Sequence, residues 1–336
     1  MLEHVRYTVE RSLMGDQPTV VLRDDSGRRV RIACHGATLV GFEVPRDGRA
    51  FDIAAGHRDA AEIVARPGSR FAIMVPFAGR VADARYRFDG RAYDLQPGAT
   101  AGQREARHGF VRDADFAVTE LASDAASARA TLSTSIRAHA PGLPGYPFAI
   151  DLAVSFTLDT AGLTLEARMR NRDEKPAPCF FGWHPYLRVS DGLVNEWMLE
   201  IPARTLIRTG SDLIALAGKA AYVPLDAAAE LDFRRSRLVG GSILDQGYTD
   251  LVADADGHIR TRLTDPKSGF GVTVWQERGV MHAFTGDTLK REARRSIALE
   301  PMECMADAFN RPECADRVRL DPGAERVYRC GITVTA

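Results

Sequence analysis

The sequence predicts an all-β protein, a large antiparallel β-sandwich forming a single domain over residues 1–336, and three observations predict it. Short segments alternate apolar and polar residues with period two, as strands with one buried face do. Turn sequences join those segments at hairpin spacing. Helical periodicity is weak throughout, and no repeat, low-complexity tract or linker divides the chain. At 45% hydrophobic composition there is ample material for a large core, and all-β folds of this length often form one unit.

The segments follow in order. TVVLRDDSGRRVRIA (19–33) reads as a hairpin around Asp25-Ser26-Gly27. YRFDGRAYDL (86–95) is a tighter one around Asp89-Gly90, the strongest short hairpin signal. AIDLAVSFTLDTAGLTLEARMRN (149–171) gives two long strands around Thr160-Ala161-Gly162, and RTRLTDPKSGFGVTVWQE (260–277) repeats the pattern around Asp265 to Gly269. Residues 215–231 hold the only modest helical candidates.

Composition narrows the function classes. Forty-four basic against forty-five acidic residues leave a formal net charge of −1, so neither nucleic acid nor an anionic membrane surface is expected as a partner. The basic piece KREARR (290–295) reads as a solvated surface segment. MLEHVRYTVERSL at the start lacks an apolar h-region, and no run of 18 apolar residues occurs, so neither a signal peptide nor a transmembrane helix is expected. The five cysteines are odd in number, lack a CxxC pair and have no matching histidine cluster. Reduced thiols in a cytoplasmic protein, without zinc or disulfide, are the economical reading. Neither a GxxxxGK[ST] loop nor a GxGxxG after a strand is present to anchor a nucleotide.

FFGWHPYL (180–187) places one histidine, His184, among large apolar residues and before Pro185, which pushes it into extended or turn geometry at the end of a strand. A histidine in such a run is by itself most simply a core residue. Other polar residues stand out by their company. Arg80 lies in VPFAGRVADARYRFDG (75–90), His108 at the tip of ARHGFVRDADF (106–116), and Asp250 in QGYTDLV (246–252). Glu300 closes the apolar run Ile297-Ala298-Leu299 before Pro301 in SIALEPMECMADAFN (296–310).

Taken together and in this order, these pieces resemble the aldose 1-epimerase (mutarotase) family over nearly the whole chain. VPFAGRVADARYRFDG is similar to its N-R-I-x-x-G-x-[FY]-x-[FL]-x-G segment, RHGFVRDADF to its HG-containing loop, and FGWHPYL to its central histidine motif. IALEPMECMADAFN is similar to E-P-x-x-x-x-x-A-F-N, followed by LDPGAE (320–325) like L-x-P-G-E. The resemblance implies a β-supersandwich with a cleft across one sheet. It implies that His184 is the general acid, Glu300 the general base and His108 an orienting or proton-assisting group. Arg80 and Asp250 would hold sugar hydroxyls. Two departures bear on the choice of sugar: Gly79 stands where Asn often precedes the Arg, and His282 in HAFTG (282–286) stands where galactose-specific members place Gln. His282 therefore counts as a substrate-binding position, without a galactose assignment.

The implied chemistry is opening of a hemiacetal: the C1 hydroxyl loses a proton while the ring oxygen gains one, and the aldehyde end rotates before reclosure. A paired acid and base avoids both a free oxyanion and a free oxocarbenium, each transfer contributing ~10²–10⁴-fold. Histidine, with an ordinary pKa near ~6.5, gives and takes protons at neutral pH. Phe181, Trp183 and Tyr186 frame His184, excluding water and offering Trp183 as a stacking face for a sugar. The scheme requires no metal or organic cofactor, and a monomer or homodimer acting on a small sugar is expected. Three alternatives stay open. One is a hexose 6-phosphate mutarotase, with Arg107 and Arg112 near the phosphate. Another is a hydrolase pairing Glu300 with Asp250, and the third a non-catalytic sugar-binding module.

Overall fold

The computed structural model describes residues 6–100, 102–138, 143 and 145–335. All four expected hairpins are present. Gln17–Asp24 pairs with Arg29–Ala33, Arg85–Phe88 with Arg91–Asp94, Ile150–Asp159 with Gly162–Asn171, and Ile259–Thr264 with Gly271–Gln276. Asp89 and Gly90 both take positive φ, the conformation that a two-residue turn matching the strand twist requires. Residues 215–231 form three single turns of 3-10 helix, Gly218–Ala221, Leu225–Ala227 and Ala229–Leu231, instead of an α-helix. Pro224 and short apolar spacings there leave no face of 3.6-residue period to bury.

Three larger antiparallel sheets carry the architecture. A five-stranded meander uses the strands between Tyr7 and Asp52 in chain order. A nine-stranded sheet runs from Ala117–Ser123 to Arg237–Leu238, and its middle holds Glu325–Thr335, flanked by Gly162–Asn171 and Gly271–Gln276. The third, eight-stranded sheet contains Thr205–Ile207, Asp245–Thr249, Val280–Phe284, Ile297–Met302, Gly182–Trp183 and Ile73–Met74 as successive neighbours. One hydrophobic cluster extends from Tyr7 to Ile332 and takes side chains from all three sheets, among them Leu22, Leu165 and Leu299. No helix among the described residues is long and apolar enough to cross a membrane.

Candidate active site

Strand register in the eight-stranded sheet brings the polar residues together. His282 lies directly opposite Glu300 on the adjacent strand, and Gly247 lies opposite His282 on its other side. Alternation therefore sends Asp245, His282 and Glu300 to one face. His282 Nε2 and Asp245 Oδ1 are 2.8 Å apart. The strand carrying Glu300 is buried along its whole length, and Glu300 itself is 3% exposed.

His184 reaches the same face from the break between Gly182–Trp183 and Tyr186–Leu187. Its backbone is pinned on both sides, accepting from Phe71 N–H at 2.9 Å and donating to the Ala72 carbonyl at 3.1 Å. Its ring stacks on Tyr186 at 5.0 Å and meets His108 edge-on at 5.2 Å, and its Nε2 stands 3.2 Å from Glu300 Oε1. His108 takes a left-handed φ of 61°, its N–H bound to the Gly79 carbonyl at 2.9 Å. Gly109 behind it has no room for a side chain, since a Cβ would come within 2.1 Å of the Val75 carbonyl oxygen.

These groups line a cleft of about 700 Å³, together with Arg80 and Gly79. Five residues named from the sequence, His184, Glu300, His108, Arg80 and His282, thus share one cavity. Two others do not. Trp183 is 0% exposed and packs on Phe71 at 5.9 Å; adjacent to His184 on extended backbone, it points to the opposite face and is core. Asp250 is exposed just beyond the far end of its strand, where it accepts from Thr205 Oγ1 at 2.5 Å. The carboxylate in the cleft is Asp245, five residues earlier and about 16 Å away along a strand. Its signal in the sequence was position in DQGYT, two residues from the strand's buried glycine, rather than any motif. Arg112 lies outside the cleft lining and donates to Ser69 Oγ at 3.0 Å.

KREARR also departs from expectation. Lys290 and Arg291 line the cleft, and Arg294 is half-buried, paired with Asp287 at 2.7 Å and bound to the carbonyls of Gly240 and Ser242. Arg70, missed in the sequence, is buried in the cleft wall with its guanidinium over the Tyr186 ring at 4.9 Å. Gly79 explains its own departure: at φ 67° a Cβ would lie 2.7 Å from Ala306 Cβ, so the loop closes where an amide side chain would stand.

Burial sets the protonation states. It raises Glu300 to about 7, against the opposing charge of His282. Burial, then the charge of His282, lowers His184 to about 3. Burial and His184 hold His108 well below the ordinary imidazole value. For His282 burial works against the charged ring, but Glu300 and Asp245 outweigh it and the pKa rises. Of the three cleft imidazoles, His282 is therefore the one whose surroundings favour the charged ring, while His184 and His108 are uncharged at neutral pH.

The cleft, with a buried carboxyl and imidazole in contact at 3.2 Å, lies in a β-sandwich of the mutarotase class. The aldose 1-epimerase family profile matches residues 18–333, and the chain belongs to that family. It is 26% identical over 241 residues to the uncharacterized protein YihR of Escherichia coli K12, covering 71% of each chain. Its fold is similar to a galactose mutarotase-like protein from Clostridium acetobutylicum, with a TM-score of 0.83 at 13% identity, covering 98% of this chain and 99% of that one. It is also similar to galactose 1-epimerase from Lactobacillus acidophilus, with a TM-score of 0.80 at 15% identity and the same coverage.

Proposed function

We propose that the protein interconverts the α- and β-anomers of an aldose by acid–base opening and reclosure of the ring. The observation that carries this is the His184–Glu300 contact of 3.2 Å inside the cleft. Pure sugar binding has no need of a buried acid–base pair, and in the hydrolase pairing Asp250 lies outside the cleft.

In the proposed cycle Glu300 takes the C1 proton while His184 protonates the ring oxygen, His108 orienting the sugar from the side. With His184 lowered to about 3 and Glu300 raised to about 7, the pair holds one proton across most of the range between, mainly on Glu300. The productive form needs that proton on His184 and a carboxylate at Glu300. Sugar hydroxyls replacing the lost hydration of the carboxylate favour the transfer across the contact. Arg80, and His282 held by Asp245, are placed to fix the remaining hydroxyls.

A second reading, an aldose carrying an anionic group, is favoured by a specific observation. Arg70, Arg80 and Lys290 line the cleft, and among the described residues none of the three pairs with a carboxylate. Polarimetry of freshly dissolved α-D-glucose and α-D-galactose, with exchange NMR of glucose 6-phosphate, tests both. Acceleration with neutral sugars supports the first reading; a strong preference for the phosphate, lost in Lys290→Ala, supports the second. Measurable sugar binding without acceleration of any of them would leave a non-catalytic module.

A further inference from the structure

We propose a second ligand site, for a small phosphorylated metabolite, in an arginine-lined cavity on the outer face of the N-terminal five-stranded sheet. On the strand Arg29–Ala33, Val30 and Ile32 point into the core, so alternation turns Arg29 and Arg31 outward together. The next strand sets Gly41 opposite Arg31 and Glu43 opposite Arg29. Gly41 has no side chain to crowd Arg31, and a Cβ there would already lie 3.2 Å from Asp52 Oδ2. Arg188, Arg291 and Arg295 come over from other parts of the chain, and together these residues enclose about 570 Å³. That volume lies within the ~300–1,000 Å³ of small-molecule sites.

The charges do not balance internally. Glu43 is engaged by Arg29 at 3.0 Å, Glu292 by Arg291 at 2.7 Å and Asp191 by Arg188 at 3.4 Å. Asp52 accepts two backbone N–H groups, and burial raises its pKa. The Arg31 side chain makes no hydrogen bond or ion pair among the described residues, and its Nε is buried. Arg295 has only the Asp191 carbonyl, at 3.0 Å. Two guanidiniums thus face the cavity without a carboxylate, which suits a doubly charged, oxygen-rich group that a guanidinium fork can grip.

An independent observation points the same way. His57 lines this cavity, is 3% exposed, and neither ring nitrogen has a partner. A buried N–H left unpaired is costly, and a ligand oxygen would satisfy it. Burial and the nearby Arg70 lower His57 to about 4, so it meets the ligand as a neutral donor. Arg291 also lines the catalytic cleft, whereas His184 and Glu300 do not line this cavity. The site is distinct, and its existence does not depend on the epimerase reading.

Calorimetric titration at constant ionic strength, using glycerol 3-phosphate and inorganic phosphate, tests this on wild type, Arg31→Gln, Arg31→Lys and Arg80→Gln. Either probe should bind wild type; the ester binding more tightly points to a phosphorylated metabolite, equal binding to free phosphate as the shared chemistry. Arg31→Gln should weaken binding about 10- to 100-fold, Arg31→Lys less, and Arg80→Gln not at all. Thermal unfolding of each variant separates lost binding from lost fold, and Arg31 points away from the core. Absence of binding by both probes would overturn the proposal. So would binding that survives Arg31→Gln yet disappears in Arg80→Gln, because the anion would then sit in the catalytic cleft.

Discussion

Glu300 is a carboxyl that the fold makes expensive to ionise, and that has two measurable consequences. Its pKa of about 7 in the folded protein stands above the ordinary 4.5, so folding takes up a proton. The stability this contributes is present at low pH and lost as pH rises through 7. Glu300→Gln, neutral at every pH, should therefore be more stable than wild type at pH 8, by on the order of 3 kcal/mol in denaturant titrations, with little difference near pH 4. The same variant should lose about 10²–10⁴-fold in turnover while still binding sugar. His184→Asn should lose a similar amount, with the double variant little worse than either. The pH profile changes from what sequence alone suggests. An unperturbed pair would lose activity on the acid side as glutamate protonates and on the alkaline side as histidine deprotonates. With His184 at about 3 and Glu300 at about 7, kcat/KM should hold from about pH 4 to 7 and fall above it, as the pair's single proton leaves. A rising limb centred between pH 6 and 7 would show that His184 keeps an ordinary imidazole value.

At the scale of elements, alternation decides which motif residues reach the cleft. FGWHPYL named His184 by its neighbours, but only the extended backbone around it tells that Tyr186 shares its face and Trp183 does not. Trp183→Ala should cost about 3–5 kcal/mol of stability, as loss of a large core side chain does, and leave KM for sugar nearly unchanged in the folded protein. A change in KM matching that for Arg80→Ala would return Trp183 to the cleft. The HG loop depends on close approach: Gly109→Ala meets the Val75 carbonyl at a positive φ and should displace His108, lowering kcat and raising KM together. The hairpins were legible because turn chemistry is local. Asp245 was not, because its place depends on how its strand registers against that of His282, itself next to Glu300's strand, which no local pattern encodes. KREARR misled for a related reason: charge alone does not show that Arg294 will be enclosed by the carbonyls of residues 240 and 242.

For the molecule as a whole, the cysteines give a simple check on packing. All five are buried. A charged thiol reagent should label none of them in the native protein and all five in denaturant; rapid native labelling at any one would reveal local opening. The strand Glu325–Thr335 has a different consequence. It is made after every strand it joins, yet it lies between Gly162–Asn171 and Gly271–Gln276 in the middle of the nine-stranded sheet. Until it docks, the sheet is two separate ribbons, each presenting an unpaired inner edge beside apolar side chains such as Leu165 and Val274. A nascent chain emerging from the ribosome must keep those two edges from neighbouring chains for as long as residues 325–335 are still inside the exit tunnel. Crowding at that stage, rather than the stability of the finished sheet, would then govern how much protein a cell recovers, and the dependence should show as a refolding yield that falls with protein concentration.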